Sequence, residues 1–470
     1  MTRIATFAVA LVLSACAATP GSAPSLKSVD GLPPYAPEGA LPAPEIVQRT
    51  LANGLNVWVV PRNGLPRVDA VLALRGGYAA DEPRTPGRAQ LIAKLLAEGT
   101  RTRNSRQIAE AFQAIGGELH AYADMESLDF AAQSLASNAP KLLELLADVA
   151  RNASFPDKEV VLAKANALEE LKANESQPDY VAGRAIDRAL FGSHPYGQPY
   201  ATASSIQAAT PATLRAEYAK RQHPGSALLV IVGRIAADDA FALAQKYFGD
   251  WKESGVAAQE AAAPQAGDVK RLLVDRPGSV QANLRVGRLA VAAADPDRIP
   301  LALTRRIVGG YFGSRLNRKL REEKGYTYGA GTDMTPWRVG GELVSDTDVR
   351  TDVAGAALTD LLAEYDALAQ KPVGDEEMER VKRFAAGTYL FSTQQQAQVA
   401  QILAGRWSVG LPADDLATFV PRMRAVTAAQ VQDMAKKYFS RADQTMVIVG
   451  DAAAIAPQLT SYGEFETVAP

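Results

Sequence analysis

The chain has very few of the side chains that form disulfides and histidine-rich metal sites. Its 470 residues include one cysteine and three histidines. A single cysteine excludes an intramolecular disulfide, and the histidines at His120, His194 and His223 are too far apart for two of them to share a helical turn. The formal net charge of -2 gives no reason to expect nucleic acid or an anionic surface as a partner. At this length a globular chain usually forms two or more domains.

The first 15 residues have the pattern of a secretory signal. Their apolar stretch is shorter than the roughly 20 residues that a membrane-spanning helix needs. It ends in a Leu-Ser-Ala-Cys sequence at Cys16, which resembles the lipobox of bacterial lipoproteins. We predict that residues 1–15 are a signal peptide and that Cys16 carries the lipid; an ordinary signal with an incidental cysteine is the alternative. A periplasmic location follows, and Ala17, in place of the Asp of inner-membrane retention, favours the outer membrane.

Residues 16–44 are rich in alanine, proline, serine and glycine. Such a segment buries too little apolar surface to offset the entropy lost on ordering. We predict that it is a lipid-anchored tether between the membrane and the globular body.

Two sequence patterns occur twice in the chain. A helical pattern from Thr210 leads into a β-branched strand, and the same order recurs from Thr427. Each threonine suits a helix N-cap, and Gln430 can complete a capping box. The Gly-Gly-Glu-Leu sequence of residues 116–119 also recurs at residues 340–343. Two matches in the same order predict duplicated domains.

The order of the predicted elements indicates the fold class. Strands are predicted at 57–60 and 70–74, and residues 88–97 place four apolar side chains on one helical face. A second helix is predicted from apolar residues at every fourth position, namely Val308, Phe312, Leu316 and Leu320. Strands and helices do not alternate strictly, so an α+β fold is favoured over a doubly wound parallel sheet.

We predict two homologous α/β-sandwich domains, over residues 45–252 and 269–466. Between them, residues 253–268 show no clear periodicity and form the predicted linker.

Residues 87–100 read Gly-Arg-Ala-Gln-Leu-Ile-Ala-Lys-Leu-Leu-Ala-Glu-Gly-Thr. This segment resembles the signature helix of the insulinase/pitrilysin metallopeptidases, in which two histidines bind zinc and a glutamate between them is the general base. The three positions are Gln90, Ala93 and Lys94 here. An amide is a poor zinc ligand, a methyl group is no base, and an ammonium repels a dication. The resemblance therefore predicts a degenerate zinc site and no metal or cofactor in this chain.

The same resemblance implies roles for other residues. The family's third zinc ligand falls on Glu170, which is either a leftover ligand or simply an exposed helix carboxylate. Gly116, Gly117 and His120 resemble the edge-strand motif that holds an extended peptide through its backbone. His120 is interpreted more simply as a partly buried strand residue, and His194 as structural.

Residues 309–329 resemble the family's C-terminal-domain motif. The substrate-polarising arginine and tyrosine of that motif fall on Arg321 and Tyr328, which we expect at the end of a helix and on the following strand. A guanidinium can bind a peptide carbonyl, and a tyrosine hydroxyl can donate to a developing oxyanion. The alternative is that Arg321 pairs with Glu322 or Glu323 and that Tyr328 is a core-edge residue.

An intact Arg–Tyr pair beside a degenerate zinc site resembles the second subunit of the two-chain branch of this family. The resemblance implies a half clamshell and a noncatalytic subunit of a heterodimeric zinc endopeptidase that degrades peptides in the periplasm. The partner would carry zinc and the intact His-x-x-Glu-His motif. The alternative is a purely structural or peptide-binding pseudopeptidase with no part in catalysis.

Overall fold

The computed structural model describes residues 44–254 and 260–469. The predicted signal peptide, Cys16 and nearly all of the predicted tether lie outside the described residues. In the part that is described, no helix is long and apolar enough to cross a membrane. The globular body, from Ala43 to Pro470, is one compact unit.

The strands of the described residues are β1 (Val47–Thr50), β2 (Asn56–Pro61), β3 (Arg67–Arg75), β4 (Glu118–Ala123), β5 (Ser127–Leu135), β6 (Ala227–Gly233), β7 (Arg271–Asp275), β8 (Gln281–Ala290), β9 (Ala330–Pro336), β10 (Gly341–Arg350), β11 (Thr445–Gly450) and β12 (Glu466–Val468). The α-helices are α1 (Arg88–Leu95), α2 (Ser105–Ala114), α3 (Ala139–Asn152), α4 (Asp157–Glu175), α5 (Pro178–Phe191), α6 (Ala203–Gln207), α7 (Pro211–Ala219), α8 (Ala237–Phe248), α9 (Arg298–Val308), α10 (Ala354–Gln370), α11 (Asp375–Ser392), α12 (Gln396–Ser408), α13 (Asp415–Ala425), α14 (Ala428–Tyr438) and α15 (Ala452–Ile455). A π-helix covers Asn317–Glu323, and short 3-10 turns join several of these elements.

The strands form two six-stranded sheets that follow the same plan except at one edge, where β1 is antiparallel to β2 whereas β12 is parallel to β7. The first has the order β1-β2-β6-β3-β5-β4 and the second the order β12-β7-β11-β8-β10-β9. In each sheet one central pair is parallel, β2 with β6 and β7 with β11, and the next three pairings are antiparallel. The predicted α+β class with two equivalent halves is thus confirmed.

The two sequence repeats differ in their structural meaning. Thr210 and Thr427 are the N-caps of α7 and α14, each in a capping box, and these helices lead into the equivalent central strands β6 and β11. The Gly-Gly-Glu-Leu repeat is not equivalent, because its first copy leads into the edge strand β4 and its second into β10, the counterpart of β5. The duplication is real, but only the first repeat is evidence for it.

The predicted helix through Phe312 is wrong. Helix α9 ends at Val308, and Phe312 is 65% exposed, whereas Leu316 and Leu320 are buried. The break occurs at Gly309, where an added Cβ would lie 2.3 Å from the Thr332 hydroxyl of the neighbouring strand β9. The apolar residues at every fourth position thus do not belong to one helix, because the pattern runs across two separate helical segments.

Each sheet is covered on one face by helices of its own half and on the other by a helix from the opposite half. Helix α5 of the first half packs on β8 and β11, and α12 of the second half packs on β3 and β6. Apolar residues of α5 such as Val181 and Ile186 share a cluster with Val274 and Val447 of the second sheet. Such long-range exchange is not readable from local periodicity. The described parts of 253–268 contain no helix or strand.

A partly buried pair of carboxyl groups joins the two halves. Asp187 of α5 accepts a hydrogen bond from the Tyr200 hydroxyl at 2.6 Å and contacts Glu342 of β10. Burial, Asp187 and Asp333 raise the pKa of Glu342, and burial raises the pKa of Asp187. The protonated Glu342 can therefore donate to the Asp187 carboxylate.

This pair makes the free energy of unfolding pH-dependent. The folded chain retains a proton that unfolded carboxyl groups release above about pH 4, so stability falls as pH rises from there through the raised pKa values. We expect Glu342→Gln, whose amide donates to Asp187 at every pH, to lose less stability than the wild type between about pH 5 and about pH 8 in urea unfolding. Equal pH dependence in the two proteins would show that the pair does not share a proton.

Candidate functional site

The degenerate zinc motif lies on α1, as its sequence predicts. The helix begins after Gly87, whose φ of 77° suits glycine. Asp81 accepts a hydrogen bond from the Ala89 backbone N–H at 3.0 Å and is held by the buried Arg221 at 2.7 Å. The Asp81 carboxylate accepts from a backbone N–H that has no partner within the helix, and its negative charge interacts favourably with the positive end of the helix dipole. Burial raises the pKa of Asp81 to about 6.

Of the three motif positions only Lys94 carries a charge, and it forms an ion pair with Glu170. Ala93 is buried in the first core, while Gln90 and Lys94 line a cleft of about 360 Å³ together with Glu170 of α4. The Lys94 ammonium contacts the Glu170 carboxylate directly. Glu170 is thus an exposed helix carboxylate that also lies at the ligand position implied by the family resemblance.

These residues do not fit zinc. The metal binds imidazole, thiolate and carboxylate groups, and here one carboxylate remains, paired with an ammonium where a second ligand would be. Across residues 44–254 and 260–469, no group of three or more His, Cys, Asp or Glu side chains could hold a metal ion. No catalytic step through a metal follows from this chain's own residues.

The cleft around Lys94 has aromatic walls that sequence reasoning missed. Tyr78, Tyr180 and Tyr200 line it from the first half, and Trp337 lines it from the second. Tyr180 and Tyr200 pack edge to face with ring centroids 5.4 Å apart. No local motif marks these residues, because they come together only through the packing of the two halves.

The predicted peptide-binding segment lies at the edge of the first sheet. Gly116 has a φ of 62°, and an added Cβ on Gly117 would lie 2.2 Å from the Gln133 carbonyl oxygen. The turn therefore requires both glycines whatever the edge strand binds. The prediction that His120 is partly buried is wrong: its side chain is 71% exposed and its Nε2 lies 3.4 Å from Glu118.

His194 holds the linker in place. Its Nε2 donates to the Ala262 carbonyl at 2.8 Å, and its Nδ1 accepts from the Tyr196 backbone N–H at 3.2 Å. Both ring nitrogens are thus used in protein contacts, as expected of a structural histidine.

Arg321 lies in the π-helix of the second half, a type of helix that is frequent at functional sites. Its guanidinium lies over the Phe312 ring at 4.2 Å from the ring centre. The alternative partner Glu323 is bound by Lys319 at 2.9 Å instead. Within the described part of the chain Arg321 forms no ion pair, so its charge is held by an aromatic face alone.

Tyr328 lies in the loop before β9, and the prediction that it lies on the strand is wrong. The loop is fixed on both sides, because Thr327 and Thr347 donate to the Gly329 carbonyl at 2.8 and 3.0 Å. The Tyr328 side chain is nevertheless 95% exposed. A loop anchored at Gly329 thus presents the Tyr328 phenol to solvent.

The two predicted sites are separate in this chain. Tyr328 shares a surface cavity of about 550 Å³ with Phe312 and the edge strand β9. Neither Arg321 nor Tyr328 lines the cleft that contains Lys94. No hydrogen bond joins Arg321 to Tyr328 among the described residues. Phe312 is close to both groups, because its ring contacts Arg321 and the same residue lines the cavity of Tyr328.

Two family profiles match successive parts of the chain. The profile described as Insulinase (Peptidase family M16) matches residues 59–204, and the one described as Peptidase M16 inactive domain matches residues 208–384. The first covers α1 and α4, and the second covers Arg321 and Tyr328.

Several curated relatives are uncharacterized zinc proteases. The Mycobacterium leprae protein is 28% identical over 60% of this chain and 64% of its own length, and a Mycobacterium tuberculosis protein is 30% identical over 54% and 59%. The chain thus spans about 60% of the length of these mycobacterial relatives. A Rickettsia felis protein is 24% identical over 85% of this chain and 96% of its own length.

Solved structures share the fold. The peptidase M16 inactive domain from Pseudomonas fluorescens has a TM-score of 0.81 and 25% identity, covering 86% of this chain and 98% of its own. A Helicobacter pylori protease has the same TM-score at 17% identity, covering 87% and 100%. Together with the sequence profiles, these matches show that the chain belongs to the insulinase family, peptidase family M16.

Proposed function

We propose that this chain is the noncatalytic subunit of a two-chain zinc endopeptidase. The partner is an insulinase-family chain that carries zinc and an intact His-x-x-Glu-His motif. This chain supplies Arg321 and Tyr328, the complex degrades peptides in the periplasm, and a lipid at Cys16 anchors it, in the outer membrane rather than the inner.

The separation of the two sites carries the proposal. Arg321 and Tyr328 lie outside the cleft of Lys94, so they cannot assist chemistry there, and the exposed phenol of Tyr328 is open to a second molecule. A site that is exposed and has no hydrolytic group of its own is suited to act on a substrate bound by a partner.

The Lys94–Glu170 ion pair supports the absence of metal chemistry in this subunit. Both side chains are more than a third exposed, so the pair adds at most about 1 kcal/mol to stability. The pair affects metal binding instead, because the Lys94 ammonium binds the Glu170 carboxylate that a metal would require as a ligand.

The proposed roles follow from the donors that the two side chains carry. The Arg321 guanidinium can bind the carbonyl of an extended peptide through its planar fork. The Tyr328 hydroxyl can donate to the oxyanion that develops as that carbonyl is attacked. Neither group exchanges a proton with the substrate in this scheme.

The experiment is a titration of this chain into a purified insulinase-family chain with intact His-x-x-Glu-His from the same organism. Cleavage of a fluorogenic peptide is expected to be absent for this chain alone and to rise to a plateau at about one equivalent of it. Assembly followed by light scattering in the same samples separates the alternative, a structural pseudopeptidase, which would assemble without raising the rate.

A further inference from the structure

A second cavity, of about 290 Å³, lies where the two halves and the linker meet. Arg75 at the end of β3 and His223 before β6 line it from the first half, and Arg338, between β9 and β10, lines it from the second. It does not contain Lys94, Arg321 or Tyr328. The cavity is therefore distinct from both sites described above.

Three of the side chains that line the cavity carry buried nitrogens without a hydrogen-bond partner in the described structure. They are Nε of Arg75, Nη1 of Arg338 and Nε2 of His223, whose residue is only 7% exposed. Buried polar groups in native proteins are nearly always hydrogen-bonded, and a charged donor is the most costly to leave unpaired. Three such atoms on one cavity indicate a missing acceptor.

The Arg75 guanidinium contacts a carbonyl and an aromatic ring rather than a carboxylate. It donates to the Trp407 carbonyl at 3.3 Å and lies 4.4 Å from the centre of the Trp407 ring, and no ion pair to a described residue accompanies these contacts. Burial and the neighbouring Arg338 lower the pKa of Arg75, and Glu260 and Glu126 offset part of this lowering. An anion between the two guanidinium groups would stabilise the charged form of both.

The acidic residues of the cavity already have donors. Glu126 accepts from the Tyr196 hydroxyl and from the Arg338 backbone N–H at 3.1 Å, and burial raises the pKa of Glu126. Glu260 of the linker is half exposed and contacts Nε of Arg338. These contacts leave the Arg338 Nη1 and Arg75 Nε atoms without an acceptor among the described residues.

We propose that this cavity binds a small organic carboxylate. The carboxylate lies between the guanidinium groups of Arg75 and Arg338 and accepts a hydrogen bond from His223, because a planar anion matches the planar donors of arginine. A short apolar group of the ligand lies against Met125 and Val339, which also line the cavity. Such a ligand is either a free amino-acid derivative or the C-terminus of a peptide.

Titration calorimetry tests the proposal on the full chain. N-acetylleucine is expected to bind, and its neutral amide to bind about tenfold more weakly or worse, since hydrogen bonds to charged groups are the stronger ones. This comparison needs no variant, so it does not depend on how any substitution folds. Absence of binding by millimolar N-acetylleucine, or equal affinity for the amide, would overturn the proposal.

Two variants locate the site. Arg75→Gln and Arg338→Gln are each expected to weaken N-acetylleucine binding about tenfold or more, whereas Arg101→Gln, at an exposed arginine outside the cavity, leaves it unchanged. Affinity that survives both cavity substitutions would contradict the assignment. An N-blocked tetrapeptide with a free C-terminus distinguishes the two kinds of ligand. If it binds as tightly as N-acetylleucine, the ligand is the C-terminus of a peptide; if it binds more weakly, the ligand is a free amino-acid derivative.

Discussion

Replacing Tyr328 with phenylalanine is expected to lower the kcat of the assembled peptidase by a factor of about 100–1000. The substitution removes one oxygen from a side chain that is 95% exposed in this chain, so stability and assembly should not change. The loss is large because the hydroxyl donates to charge that exists only in the transition state. KM is expected to change little, since the ground-state carbonyl is bound mainly by Arg321.

Tyr462→Phe is the matched control. It is the same chemical change at a tyrosine whose hydroxyl contacts Thr359 at 2.6 Å and that does not line the cavity of Tyr328. Equal kcat values for the Tyr328 and Tyr462 variants would show that the phenol of Tyr328 has no part in turnover, and the structural alternative would then stand.

A zinc site should return when the two altered ligand positions are restored. Gln90→His together with Lys94→His places two imidazoles one helical turn apart on α1, facing Glu170 across the same cleft. The second substitution also removes the ammonium that now binds this carboxylate. Two histidines and a glutamate are a known zinc ligand set, so we expect about one zinc per chain after dialysis, against none for the wild type.

The triple variant with Glu170→Gln is the control for that result. It keeps both histidines and removes the third ligand, so its zinc content is expected to fall well below that of the double variant. If the double and triple variants hold equal zinc, the metal is bound elsewhere, and the assignment of Glu170 to this site is wrong.

Local chemistry made much of the fold predictable. The capping threonines at Thr210 and Thr427 satisfy backbone donors within their own turns, and the β-branched strands that follow are buried in both sheets. The same holds for α1, where Leu91, Ile92 and Leu95 are all in the core. Each of these signals depends on near neighbours, which a sequence displays directly.

The wrong predictions concern features that depend on distant partners. His120 is exposed because β4 is an edge strand whose even-numbered residues face solvent, and strand order cannot be read locally. Phe312 is exposed because α9 ends before it, at the point where β9 packs so closely against Gly309 that no side chain would fit. The carboxyl pair of Asp187 and Glu342 likewise exists only because α5 packs on the opposite half.

We propose that this chain completes the active site of a second one. The initial rate of peptide cleavage by a zinc-bearing partner, followed as this chain is added, tests that proposal. We expect no cleavage by this chain alone and a rate that saturates at about one equivalent. Cleavage by this chain alone, or a partner whose rate does not respond to it, would overturn the proposal.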